Sequence, residues 1–143
     1  MRVLLLTDVA RPVAPDVAWS VETLLHEDKT AEANVLASLQ RSGHDVTTMA
    51  VFDNMLHVVD RIKSFAPDVV FNQCESFYDN RALEPNIPAL LELMKIRYTG
   101  SGPDALLLCK DKALAKVVLS HHRVRVPRFV VSHNKSPLRR LQA

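Results

Sequence analysis

The sequence predicts an α/β fold built on a doubly wound parallel sheet, and three observations carry that expectation. Val3-Leu4-Leu5-Leu6 is a continuous apolar run, the pattern of a strand covered on both faces. Further apolar runs then alternate with segments of helical period, the order that gives a parallel sheet with crossover helices. A length of 143 residues, 48% of them apolar, suffices for one domain with its own core.

Taken in order, the first strand ends at Thr7-Asp8. Residues 9–28 show no period and contain Pro12, Pro15 and the single tryptophan, Trp19. This reads as a long, mobile loop at the carboxyl end of the first strand, where open α/β sheets place their ligands, and near Asn72–Glu75. A helix is expected from Lys29 to Arg41, with Ala31, Val35, Leu36 and Leu39 inward and Ser42-Gly43 as its stop. The second strand is Val46–Val51. Asp53 or Asn54 caps the next helix, whose Met55, Val58, Val59, Ile62 and Phe65 recur at helical spacing until Pro67. Asp68–Asn72 is a third strand, with Asn72-Gln73-Cys74-Glu75 at its carboxyl end. Pro85 opens a helix carrying Ile87, Leu90, Leu91 and Met94 on one stripe, and Ile96–Thr99 forms a short fourth strand.

The turn Tyr98-Thr99-Gly100-Ser101-Gly102-Pro103 then runs into a helix of about twenty residues, Pro103 suiting the first helical position and Ser101 or Gly102 the cap. Leu106, Leu107, Ala113, Leu114, Val117 and Val118 supply its buried side, and Lys112 and Lys116, four apart, project together. Val124–Pro127 leads to a fifth strand at Phe129-Val130-Val131. At least four parallel strands with helices on both faces are expected, Val3–Leu6 being central.

Composition excludes several classes. No apolar run approaches the ~20 residues of a membrane span, and the amino terminus lacks the features of a signal peptide. Cys74 and Cys109 make neither a disulfide framework nor a metal site, which fits a reducing cytoplasm. No G-x-G-x-x-G follows the first strand, so a dinucleotide fingerprint is absent, and with only three glycines in the chain a phosphate-cradling P-loop is excluded too. Charge is uneven. After Asp111 there is no carboxylate but eight Lys and Arg side chains, so the net +2 leaves −6 for residues 1–111. The basic end suits a nucleotide-phosphate site, nucleic acid or plain solvation; with Phe129 the one aromatic among its arginines, nucleic acid is disfavoured.

Leu90-Leu91-Glu92-Leu93-Met94, Tyr98-Thr99-Gly100-Ser101-Gly102, Asp111-Lys112-Ala113-Leu114-Ala115-Lys116 and Val126-Pro127, in that order, resemble the D-alanine–D-alanine ligase family of ATP-grasp carboxylate–amine ligases. The resemblance is close over the second half and loose over the first. It implies ATP, magnesium and an acyl-phosphate intermediate, with an amino-acid-like substrate and a homodimer allowed. It also implies a Rossmann-like, pre-ATP-grasp substrate domain over residues 1–100. Residues 101–143 would then be the connecting helix and first strand of an ATP-grasp lobe, truncated, so that the chain alone is inactive.

The resemblance places Lys112 on the ATP phosphates; on spacing alone it is a solvated lysine edge. Asp111 reads as the partner of a nearby cation, and Lys116 as a neighbour on the same face. A family glutamate that orients the first amino acid falls on Glu32 or Glu27, although the Gly-Gly-x-Ser-x-Glu pattern around it is absent. Either glutamate could instead serve a helix amino terminus through the dipole. Asn72-Gln73-Cys74-Glu75 stands where the family has a His-Gly loop. Glu75 there contacts a substrate amine or faces solvent, and Ser101 is a further substrate-binding candidate. Cys74 reads as a small buried residue. His121-His122-Arg123 reads as cations at a helix carboxyl end, and no metal ligand is expected. A rival from another class is a non-catalytic α/β module that binds through its basic end.

Overall fold

The structure is a computed structural model that describes residues 1–14 and 17–131. It divides into two compact units, Met1–Leu106 and a second beginning at Leu107. The first holds a three-stranded parallel sheet of order β2-β1-β3, formed by β1 (Arg2–Asp8), β2 (Asp45–Val51) and β3 (Val69–Gln73). Leu4 lies opposite Thr47 on one side and Val70 on the other, so β1 is central as expected.

Alternation along the strands splits the apolar side chains between two cores. Leu4, Leu6, Met49, Val51 and Val70 face α3 (Met55–Phe65) and α4 (Asn86–Leu93) through Val58, Ile62, Ile87 and Leu91. Leu5 and Ala50 face the opposite layer with Leu24, Ala33, Leu36 and Trp19. That layer consists of α1 (Val21–His26) and α2 (Thr30–Arg41). Helices therefore cover both faces, which is why β1 must be apolar at every interior position. Asn54 caps α3 by accepting from the Leu56 amide at 2.9 Å, and Gly43, at φ +75°, takes the left-handed turn that ends α2.

Five expectations need correction. Residues 9–28 are not all loop: Ser20 accepts from the Thr23 amide and starts α1. Val9 and Trp19 are buried, and Thr48 Oγ1 donates to the Trp19 carbonyl at 2.8 Å. Pro15 lies outside the described residues. Second, α2 turns Ala33 inward and leaves Ala31 exposed, because Glu32 has partners that allow it to be buried.

Third, the segment Ile96–Thr99 contributes one parallel bridge, Val70 to Tyr98, held by the Arg97 carbonyl at 2.8 Å and the Thr99 amide at 3.0 Å. The sheet accordingly has three strands among the described residues, not four.

Fourth, the long helix is two, α5 (Pro103–Lys110) and α6 (Lys112–His121). Asp111 leaves helical geometry at φ −89°, ψ 88°, and its carboxylate accepts from the amides of Ala113 and Leu114 at 3.0 and 2.9 Å. A strong capping residue has restarted the helix. No residue of α5 or α6 is buried; Leu107, Leu114 and Val117 are 50–58% exposed, so the apolar stripe has no cover among the described residues. Fifth, Phe129–Val131 form no strand. Lys135, Arg139 and Arg140 lie outside the described residues, as does most of the segment after Pro127.

Candidate functional site

A cavity of about 590 Å³ opens at the carboxyl edge of the sheet in the first unit. Three local features shape it. Asp28, at φ 60°, turns the chain from α1 into α2 and puts Lys29 at the cap position, with Glu32 in the first turn. A glutamate there is favoured by the helix dipole. At the end of β3, Asn72 Oδ1 accepts from the Cys74 amide at 3.2 Å, a local turn that brings Gln73, Cys74 and Glu75 to the rim. Opposite them, Gly100 at φ 106° carries Ser101 into the lining.

The polar centre of the site lies between β1 and α2. Lys29 Nζ stands 3.2 Å from Asp8 Oδ1 and 3.1 Å from Glu32 Oε1. Thr7 Oγ1 donates to the same Glu32 oxygen at 3.1 Å, and Ser76 Oγ donates to Asp8 Oδ2 at 2.6 Å. Burial opposes the Lys29 charge, but hydrogen bonds and charges from Glu32 and Asp8 outweigh it and raise the ammonium above its ordinary value. Five carboxylates line the cavity, Asp8, Asp28, Glu32, Glu75 and Glu84, against two cations, Lys29 and Arg81. Such a space attracts a positively charged group.

Of the residues singled out in the sequence, Glu32, Glu75 and Ser101 line this one cavity. Glu75 is exposed and pairs with Arg81 at 2.6 Å. Glu27 lies in a smaller neighbouring cavity of about 290 Å³, paired with Arg11. Lys112 belongs to the second unit, exposed in the first turn of α6. Lys116 there lies 5.0 Å from the centroid of the Phe129 ring. Sequence reasoning passed over Asp8, Lys29, Thr7 and Ser76. The one signal for Asp8 was a charged residue closing an apolar first strand.

Cys74 lines the cavity but is buried, and that burial, with Asp8 nearby, pushes its thiol well above the ordinary value. Cys109 is exposed. At neutral pH one thiol per chain should therefore react rapidly with a disulfide reagent and the second only after denaturation. Two fast equivalents in the native protein would contradict this placement.

A parallel α/β sheet with helices on both faces carries an acidic cavity at its carboxyl edge, the place where open sheets of this kind put their ligands. No family model matches the chain. A D-alanine–D-alanine ligase of Moorella thermoacetica is 36% identical over 96 residues, 67% of this chain and 29% of the relative. One from Pseudothermotoga lettingae is 32% identical over 98 residues, 68% of this chain and 31% of the relative. A third, from Rhizorhabdus wittichii, is 29% identical over 118 residues, 82% of this chain and 35% of the relative. The chain is thus related to the D-alanine–D-alanine ligases over most of its own length, and the stretch matched is about a third of theirs. No helix among the described residues is long and apolar enough to cross a membrane.

Proposed function

We propose that this chain supplies the amino-terminal α/β part of an ATP-dependent carboxylate–amine ligase resembling D-alanine–D-alanine ligase. One observation carries the reading: the cavity holds Glu32, buried yet carboxylate-bearing, at the sheet edge of a chain related to those ligases. Glu32 is the group that would accept the ammonium of a first amino-acid-like substrate. The excess of carboxylates over cations draws that ammonium in, and Glu75 and Ser101 bound its other side. In such a reaction bound Mg-ATP supplies the phosphoryl group that activates a carboxylate for attack by an amine. Lys112, a compact cation on an exposed helix turn, suits a phosphate contact. Among the described residues no cluster of His, Cys, Asp or Glu could hold a metal ion, so no step is assigned to magnesium here.

In this reading residues 1–100 are the substrate domain, and the basic segment beyond them begins a nucleotide-binding lobe. The matched ligases are about three times longer than the stretch they share with this chain, and in this reading ligation requires the nucleotide-binding lobe as well as the substrate domain. Calorimetric titration with Mg-ATP tests that division of labour. Weak or undetectable binding is expected. Micromolar affinity that disappears in Lys112→Ala would show that this chain holds a complete nucleotide site, and the division would be wrong.

A further inference from the structure

We propose that Asp8, Lys29 and Glu32 form one charge unit, with a net charge of −1, that presents a single oxygen of Glu32 to a ligand ammonium. Asp8 and Lys29 are positioning residues that act through Glu32. The inference rests on the ligase reading for its ligand class, and deepens it by saying what makes Glu32 a competent acceptor.

The geometry assigns each member a task. Lys29 and Thr7 both bond to Glu32 Oε1, at 3.1 Å each, and two donors from different elements fix the plane of the carboxylate. Both of these contacts fall on Oε1. Held this way, Glu32 has one oxygen committed and one left for a ligand. A lysine bound to Glu32 alone would cancel its charge and spoil it for a cation. Asp8, 3.2 Å from the same ammonium, prevents that cancellation, because one cation then serves two carboxylates. Ser76 holds the second oxygen of Asp8 at 2.6 Å, which ties the unit to the segment after β3.

The three side chains are only 11–25% exposed, so their mutual fields are weakly screened. Asp8 and Lys29 wall both cavities while Glu32 faces the larger one alone, so the unit separates the two spaces and directs its acceptor into one. The other ionisable groups around that cavity are Asp28, Glu75, Arg81, Glu84 and the Cys74 thiol. Of these, Arg81 already pairs with Glu75, away from Lys29.

The test is a titration of the amide NMR spectrum of the full chain with methylammonium chloride, and separately with D-alanine, at fixed ionic strength. Wild type is compared with Asp8→Asn, Lys29→Met, Lys29→Arg and Glu32→Gln. Asp8→Asn is expected to weaken methylammonium binding about tenfold, although Asp8 is not the acceptor, whereas Lys29→Met, which leaves two carboxylates without their shared cation, should strengthen it. Lys29→Arg should return affinity to within about threefold, because it restores the charge and the donors. Amide shifts remote from the cavity report whether each variant is folded. If Lys29→Met does not fold, Asp8→Asn, which keeps shape and acceptor capacity, decides alone. Methylammonium affinity unchanged in Asp8→Asn overturns the charge unit. D-alanine binding that needs Glu32 but not Asp8 also overturns it, while leaving the ligase reading intact. The expected methylammonium pattern without D-alanine binding upholds the unit and removes the ligase reading. Absence of shifts with either compound removes both.

Discussion

Replacing Leu4 with alanine is expected to lower the stability of the protein by about 2–5 kcal/mol. Leu4 is wholly buried on the central strand, flanked by β2 and β3 and covered by the core it shares with Val58, Ile62 and Leu91. The neighbouring strands and helices are already in contact around it and cannot collapse into the space of three lost carbons. The same truncation at Leu114, which is 50% exposed on α6, should change stability by no more than about 0.5 kcal/mol. Urea denaturation measures both. A shift of midpoint without a change of slope is expected for Leu4→Ala. Equal losses at the two positions would mean that the second unit buries its apolar stripe in solution.

Lys29→Met is the second large effect. Removing the ammonium leaves Asp8 and Glu32, 14% and 11% exposed, without their shared cation, at an expected loss of about 2–4 kcal/mol near neutral pH. A fully buried pair would lose more; a quarter of the Lys29 side chain still reaches solvent. The pH dependence follows from the direction of the shift. Lys29 is held above its ordinary 10.5 in the folded chain, so its contribution is complete below that value and is lost as pH rises through the folded value. Tyr98 behaves similarly, since a hydrogen bond to Glu92 and some burial push its hydroxyl up to about 12. Tyr98 is present in both chains, so the difference between wild type and Lys29→Met isolates Lys29. That difference should be flat through neutral pH and shrink above 10.5. A difference that grows on the alkaline side would contradict the assigned pairing.

How far the sequence could be read depended on whether a feature was local. The apolar run Val3–Leu6 and the helical spacing from Met55 to Phe65 announced a central strand and a packed helix, because period and burial are local properties. The short α1 was hidden, although Ser20 was a ready cap, since six residues after a proline-bearing stretch cannot establish a period. The break at Asp111 shows the reverse weakness. Apolar spacing continued across it, but an aspartate that satisfies two amides restarts a helix more effectively than the stripe sustains one. The bridge at Tyr98 fell short of a strand because register with Val70 is a tertiary matter.

At the site, Glu32 and Glu75 were legible as carboxylates near the sheet edge. The partnership of Asp8 with Lys29 was not, because it joins residues 21 apart through a turn at Asp28 that no motif announces.

The central claim is that the first unit's cavity receives the ammonium end of an amino-acid-like substrate. Titrating the isotope-labelled chain with D-alanine and, in parallel, D-lactate tests it most directly, since the two differ in ammonium against hydroxyl. D-alanine should shift the amides of Asp8, Lys29, Glu32, Gln73 and Ser101, and D-lactate should leave them in place. Equal shifts from both compounds, or D-alanine shifts confined to residues outside that lining, would contradict the account.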